Sequence, residues 1–135
     1  KLAPWFPQMT GNWTSGAALP GGDFPVDGMH ALKEAIANAY PFLDAAHAGR
    51  LARAYGTQAF KVLGEAKKLG DLGRSFGGTL TQREVVWLME HEFARTAQDV
   101  VWRRSKLGLA MSPQEIDSLA DWMKDRRAVH APQAR

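Results

Sequence analysis

Apolar residues recur at three- and four-residue intervals through most of residues 27–126, and that spacing predicts helices. Met29, Leu32, Ala35 and Ile36 share one face of a helix over 27–40, with Asp27 as its cap and Pro41 as its stop. A second, roughly 44–55, runs LDAAHAGRLARAY and ends at Gly56, the residue type favoured just past a helix terminus. Thr57 caps a third over 58–69, which places Phe60, Leu63, Ala66 and Lys67 in register and stops at Gly70. Three further starts are explicit in the residues themselves. TQRE (81–84) and TAQD (96–99) have capping-box spacing, and SPQE (112–115) adds proline at the first helical position. Helices over 82–94, 97–107 and 113–126 follow. DLGRSFGGTL reads as a glycine-rich loop, and no alternation long enough for a strand occurs. The fold class is all-α, with about six helices.

Residues 1–26 break this pattern. Four of the seven prolines and four glycines lie there, interleaved with Trp5, Phe6, Trp13 and Phe24. A long helix is ruled out, and so many large rings point to an extended arm pinned down by them rather than to a loose linker. LPGGD (19–23) reads as a tight turn; no helix-opening pattern follows its glycine pair, so it is not a phosphate loop. KLAPWF begins without methionine and reads as the last turn of something stopped by Pro4, so the chain is expected to be a piece of a longer protein. The organisation is then an arm (1–26), a helical domain (27–126) and a frayed tail (127–135).

Composition narrows the chemistry. With no cysteine, disulfides and thiolate metal sites are excluded. Seventeen basic residues against fourteen acidic ones, spread along the chain, leave no electrostatic footprint for nucleic acid. No apolar run is long enough to span a membrane, and no signal peptide is visible.

HEFAR (91–95) opens like a zinc-protease box, but Arg95 stands where the second histidine must be. His30, His47 and His130 lie on separate elements, so no metal site is expected. LTQREVVWL followed by RTAQDVVWRRSK resembles a helix-turn-helix; Glu84, Glu90 and Glu92 on its first helix would face phosphates and argue against DNA binding.

At 100° per residue, Glu92 falls on the arc of Val85, Val86, Leu88, Met89 and Phe93, and Arg104 on that of Ala97, Val100, Val101 and Leu107. A buried charge needs a partner, so Glu92 and Arg104 are expected to form a buried structural bridge between the two helices. Arg104 reaching an anionic ligand is the other reading. Trp87, Trp102 and Lys106 point away from these arcs; the two tryptophans mark contact with another domain. Arg103 and Lys106, on the side of Trp102, are candidates for cations that steer an anionic substrate.

ALPGGDF, RAYGT, LGDLGRSFGGTLTQREVVWLMEHEFARTAQDVVWRRSKLGL and SLADWM together resemble the C-terminal domain of the FAD-dependent aerobic glycerol-3-phosphate dehydrogenases. The resemblance runs from KLAPWF to about Asp125 and is most specific at 69–109, where YGT, DLG, the HE pair and WRRSKLG keep their order and spacing. It implies an enzyme that oxidises sn-glycerol 3-phosphate to dihydroxyacetone phosphate, with hydride passing to FAD and electrons to quinone. It also implies a cytoplasmic protein held peripherally at the cytoplasmic membrane. The flavin fingerprint and substrate arginines of that family lie upstream, so no catalytic, cofactor-binding or metal residue is assigned within this chain, and the chain alone is expected to be inactive. Its partner is the preceding flavin domain, for which it acts as a cap beside the substrate cleft; a homodimer stays open. Related oxidases use oxygen as acceptor, and a non-catalytic helical interaction module is the reading from a different class.

Overall fold

The computed structural model describes Trp5, Gln8 and residues 13–130. The expectations for the turn at Pro4, for the Phe6 ring and for the tail beyond His130 lie outside the described residues. Within them the architecture is helical, with one small hairpin: α1 (Met29–Ala39), α2 (Ala45–Tyr55), α3 (Ala59–Leu63), β1 (Ser75–Gly77), β2 (Leu80–Thr81), α4 (Gln82–His91) and α5 (Pro113–His130).

The predicted period is right for α1, where Leu32 and Ile36 are buried, but Asp27 does not cap it; Gly28 occupies that position and no side chain bonds the first turn. At α2 the start is chemical: the Asp44 carboxylate accepts the His47 N–H at 2.7 Å. It ends at Gly56, with φ of 56°. The third helix is much shorter than its period suggests. It stops at Leu63 because Gly64 turns left-handed, and the Arg83 guanidinium fills the space where a Cβ would sit. The Gly64 carbonyl is taken by the Tyr40 hydroxyl at 2.7 Å. Thr57, expected as a cap, instead donates its hydroxyl to Asp23.

DLGRSFGGTL is more than a loop. A 3-10 turn (Leu69–Leu72) leads into the antiparallel β1–β2 hairpin, with Ser75 opposite Thr81 and a bulge before Gly77 opposite Leu80. Its turn carries three left-handed residues in succession: Gly77, Gly78 and Thr79. Phe76 is buried against Trp122 of α5, ring centroids 5.3 Å apart. Ile36, Leu51, Leu63, Leu72, Leu80, Val85, Leu88, Val100, Val101, Leu119 and Met123 fill one core between these elements.

The second half departs from expectation at two helix ends. Helix α4 closes at His91; Phe93 follows at φ 59° with 77% of its surface exposed. The next helix is a π-helix over Asp99–Arg104, in which the Val100 carbonyl accepts both the backbone N–H and the hydroxyl of Ser105. TAQD caps this segment as predicted, Asp99 accepting from the N–H of Arg95 and of Thr96. SPQE does the same for α5 through Ser112 and Glu115. That last helix continues to His130, past the predicted end at 126.

Candidate functional site

TQRE is the box that fails, and its failure exposes the centre of the molecule. Thr81 makes no side-chain bond to the first turn of α4. Glu84, expected to reach back to Thr81, instead lies with 1% of its side chain exposed and takes both arms of Arg50, Nη1 and Nη2 each at 2.7 Å. The Tyr55 hydroxyl donates a third bond to Glu84 at 2.8 Å. Arg50 also reaches the hairpin turn, donating from Nε to the Thr79 hydroxyl at 2.9 Å and from Nη2 to the Thr79 carbonyl at 3.2 Å. One guanidinium thus ties α2, α4 and the hairpin together. Burial, then the charge of Glu84, drives the Tyr55 phenol far above the usual tyrosine range, so it remains a donor. The paired charges raise Arg50 against the opposing effect of burial.

The capping pattern marks Glu84 for a different role and says nothing of Arg50 or Tyr55, yet helix phase held the signal. Glu84 lies four residues before the buried Leu88, and Tyr55 four residues after Leu51. A carboxylate on an apolar stripe calls for a cation, and Arg50 stands beside Leu51 on the stripe that α2 buries.

Tyr55 also forms the inner wall of an open cleft of about 560 Å³, with Trp87, His91 and Glu92 of the α4 end opposite Pro20, Gln58 and Lys61. His91 stacks on Trp87 at 3.9 Å, and the Trp87 indole N–H is buried with no acceptor among the described residues. The cleft's near edge is set by LPGGD. Pro20 and Gly21 form a turn closed by Gly22 N–H on the Leu19 carbonyl, and Thr57 N–H bonds the Gly21 carbonyl at 3.1 Å. Segments of ALPGGDF, RAYGT and MEHE therefore meet in one place. The cleft offers hydrogen-bonding and charged groups for recognition, and no group of three or more His, Asp or Glu among the described residues is placed to hold a metal.

The expected Glu92–Arg104 bridge does not form. Glu92 lies half-buried at the C-terminus of α4, beside Tyr55, whereas Arg104 is exposed and has no ion pair among the described residues. The cause is the π-helix. Its turns close five residues apart, so position 104 does not come back beneath Val100 as the α-helical period assumes; Ser105 does. Arg95 is exposed as well. Of the neighbouring cations, Arg103 pairs with Asp99, and the Lys106 ammonium donates to the Trp102 carbonyl. Trp102 is partly exposed and lies flat against Gly108.

Residues 13–131 match the family described as the C-terminal domain of alpha-glycerophosphate oxidase. The chain is 42% identical over 135 residues to a glycerol-3-phosphate dehydrogenase of Pseudomonas aeruginosa, an alignment covering 97% of this chain and 26% of that relative. It is 33% identical over 129 residues to a D-erythritol 1-phosphate dehydrogenase of Brucella abortus, 96% of this chain and 26% of the relative. Against the aerobic glycerol-3-phosphate dehydrogenase of Escherichia coli it is 32% identical over 123 residues, 91% of this chain and 24% of the relative. The chain spans about a quarter of the length of these curated relatives.

Proposed function

The chain belongs to the family of C-terminal domains of alpha-glycerophosphate oxidase, and from that premise we propose that it is the helical cap of a flavoprotein oxidising sn-glycerol 3-phosphate to dihydroxyacetone phosphate. The observation that carries this reading is the 42% identity to a glycerol-3-phosphate dehydrogenase, sustained over 97% of the chain. The acceptor in this reading is quinone, and FAD carries the electrons to it. The two strands are antiparallel and short, and β2 enters α4 without a glycine-rich turn, which is unlike a dinucleotide-binding unit. In this reading FAD is held by the remaining three-quarters or so of a protein the length of the relatives.

This domain's contribution is then recognition. Trp102 is the aromatic contact to the flavin domain, supported by its exposed face, whereas Trp87, expected to share that role, is half-buried against the core with His91 stacked on it. Arg103 and Lys106 add to a positive field that draws a dianionic phosphate ester inward. No helix among the described residues is long and apolar enough to cross a membrane; attachment in this reading is made by the rest of the protein.

Comparing the full-length protein with residues 1–135 tests the assignment. The full-length protein should be yellow and reduce a quinone with glycerol 3-phosphate, while residues 1–135 should fold, stay colourless and be inactive. Stoichiometric FAD on the shorter chain would overturn the division of labour. A full-length protein that oxidises erythritol 1-phosphate but not glycerol 3-phosphate would overturn the substrate.

A further inference from the structure

We propose that a cavity beneath the β1–β2 hairpin, separate from the Trp87 cleft, is a binding site for a small uncharged polyol. It has a volume of about 270 Å³ and lies between the N-terminus of α2, the Leu69–Leu72 turn and the hairpin. Phe42, Leu43 and Leu69 give it an apolar wall, and Leu69 is exposed at 53%. Five polar residues line it as well: Asp44, His47, Ser75, Thr79 and Thr81.

One polar atom among them is buried without the partner that buried polar groups require. His47 is 5% exposed, and its Nε2 has no hydrogen-bond partner among the described residues. Thr81 is 6% exposed, and its hydroxyl does not make the capping bond that its position at the start of α4 predicts. Arg50 and Glu84, close enough to His47 for their charges to act on it, are engaged with each other and with Thr79 and Tyr55, so neither satisfies it.

The chemistry of the wall selects the guest. A neutral imidazole carries one donor and one acceptor, and each hydroxyl is both. Burial and the neighbouring Arg50 hold His47 towards its neutral form. An anion asks only for donors, and the Asp44 carboxylate, fixed at the mouth by the His47 N–H, repels one. A cation asks only for acceptors and would lie near Arg50. Hydroxyl groups on a short carbon chain match the wall group for group, and the Phe42–Leu43–Leu69 side takes the carbons. The volume is below the ~300 Å³ at which drug-sized pockets begin, which excludes a nucleotide and suits a chain of a few carbons.

The test is an NMR titration of the 135-residue chain labelled at histidine, with erythritol as the probe and inorganic phosphate as the charged comparison. Polyols also stabilise proteins by exclusion from the surface, so a melting temperature would mislead and the local signal is the readout. The His47 imidazole resonances should move and saturate with erythritol and stay in place with phosphate, while those of the exposed His91 stay unchanged. Thr81→Val should weaken saturation by about tenfold through loss of one hydrogen bond in a desolvated site. Ser75 is exposed, so Ser75→Ala provides a second variant that leaves the core alone. A linear, unsaturating response overturns the site. So does saturation that survives both substitutions, or a phosphate response equal to that of erythritol. The readout needs no flavin, so its failure is distinct from a failure of the proposed oxidation.

Discussion

The Arg50 guanidinium on α2 grips the Glu84 carboxylate on α4 with two bonds of 2.7 Å across 34 residues of sequence. Glu84 is all but sealed from water, and Arg50 has 16% of its side chain exposed. Removing two charges from water carries a desolvation penalty that only near-ideal geometry and further hydrogen bonds offset. Here Tyr55 and Thr79 supply those bonds. The pair fixes where α2, α4 and the hairpin meet.

Breaking one side of this pair should therefore be worse than removing both. Glu84→Ala strands a guanidinium and a phenol and should lower stability by about 3–5 kcal/mol, whereas Arg50→Met with Glu84→Leu should cost much less. Tyr55→Phe leaves both arms of Arg50 in place and should cost about 1 kcal/mol. Urea unfolding of the four proteins decides it. If the double replacement is as destabilising as Glu84→Ala, the loss is one of packing and not of stranded charge.

Helix existence was legible in the chain because burial obeys the 3.6 period wherever the helix is an α-helix, as in α1, α2 and α4. The caps Asp99 and Ser112 were legible too, since nothing distant competes for them. Glu84 was misread for the opposite reason. Its T-x-x-E spacing is local information, and a buried guanidinium from another helix outcompetes a backbone N–H that can find other partners. Arg104 was misread because phase arithmetic presumes an α-helix, and nothing in DVVWRRS declares a π-turn. The third helix reads in the sequence as running to Gly70, whereas it ends at Leu63 before Gly64. The apolar period continues past Gly64, and the packing of Arg83 against that glycine is not visible in it.

His47 makes stability pH-dependent in a direction set by its burial. Its pKa is lowered from 6.5, first by desolvation and then by Arg50. The unfolded chain therefore binds the proton at higher pH than the folded one. Stability should fall as pH drops below about 6.5 and level off once the folded imidazole also protonates, because the unfolded state binds more protons throughout that window. Chemical unfolding between pH 5 and pH 8, compared with His47→Gln, isolates the effect. A slope that the substitution leaves unchanged would assign it to other groups.

Gly21 and Gly56 face one another so closely that neither has room for a methyl group. A Cβ on Gly56 would run into the Gly21 carbonyl oxygen, and one on Gly21 into the carbonyl of Tyr55; both residues also have positive φ. Gly56→Ala should cost about 1–3 kcal/mol and lift the 19–23 turn from the edge of the Trp87 cleft. Gly16, with no atom within 4 Å of a built Cβ, is the comparison, and Gly16→Ala should stay within about 0.5 kcal/mol. Unfolding measurements together with hydrogen exchange at Thr57, whose N–H bonds the Gly21 carbonyl, would show the turn released. Normal protection at Thr57 in Gly56→Ala would mean that the backbone accommodates the methyl group.

The cations of the π-helix separate a field effect from a contact. Arg103, Arg104 and Lys106 stand against the single carboxylate of Asp99, so the segment keeps a positive surplus even though Arg103 pairs with that carboxylate. If this surplus draws a dianionic substrate towards the full-length enzyme, Arg103→Gln and Lys106→Gln should each lower kcat/KM a few-fold at low ionic strength. The deficit should shrink once the Debye length falls to about 10 Å at 0.1 M salt, and kcat should not change. Arg104→Gln should behave alike, since the guanidinium lies in solvent without an ion pair among the described residues. Asp99→Asn supplies the opposite sign: it removes the one negative charge and should raise kcat/KM at low salt, while weakening the cap at Thr96 by about 0.5–2 kcal/mol. A loss in kcat/KM that is the same at every salt concentration would show direct contact with substrate or flavin domain. No change in any of the four variants would reduce these cations to solvated surface, and the steering role would fail.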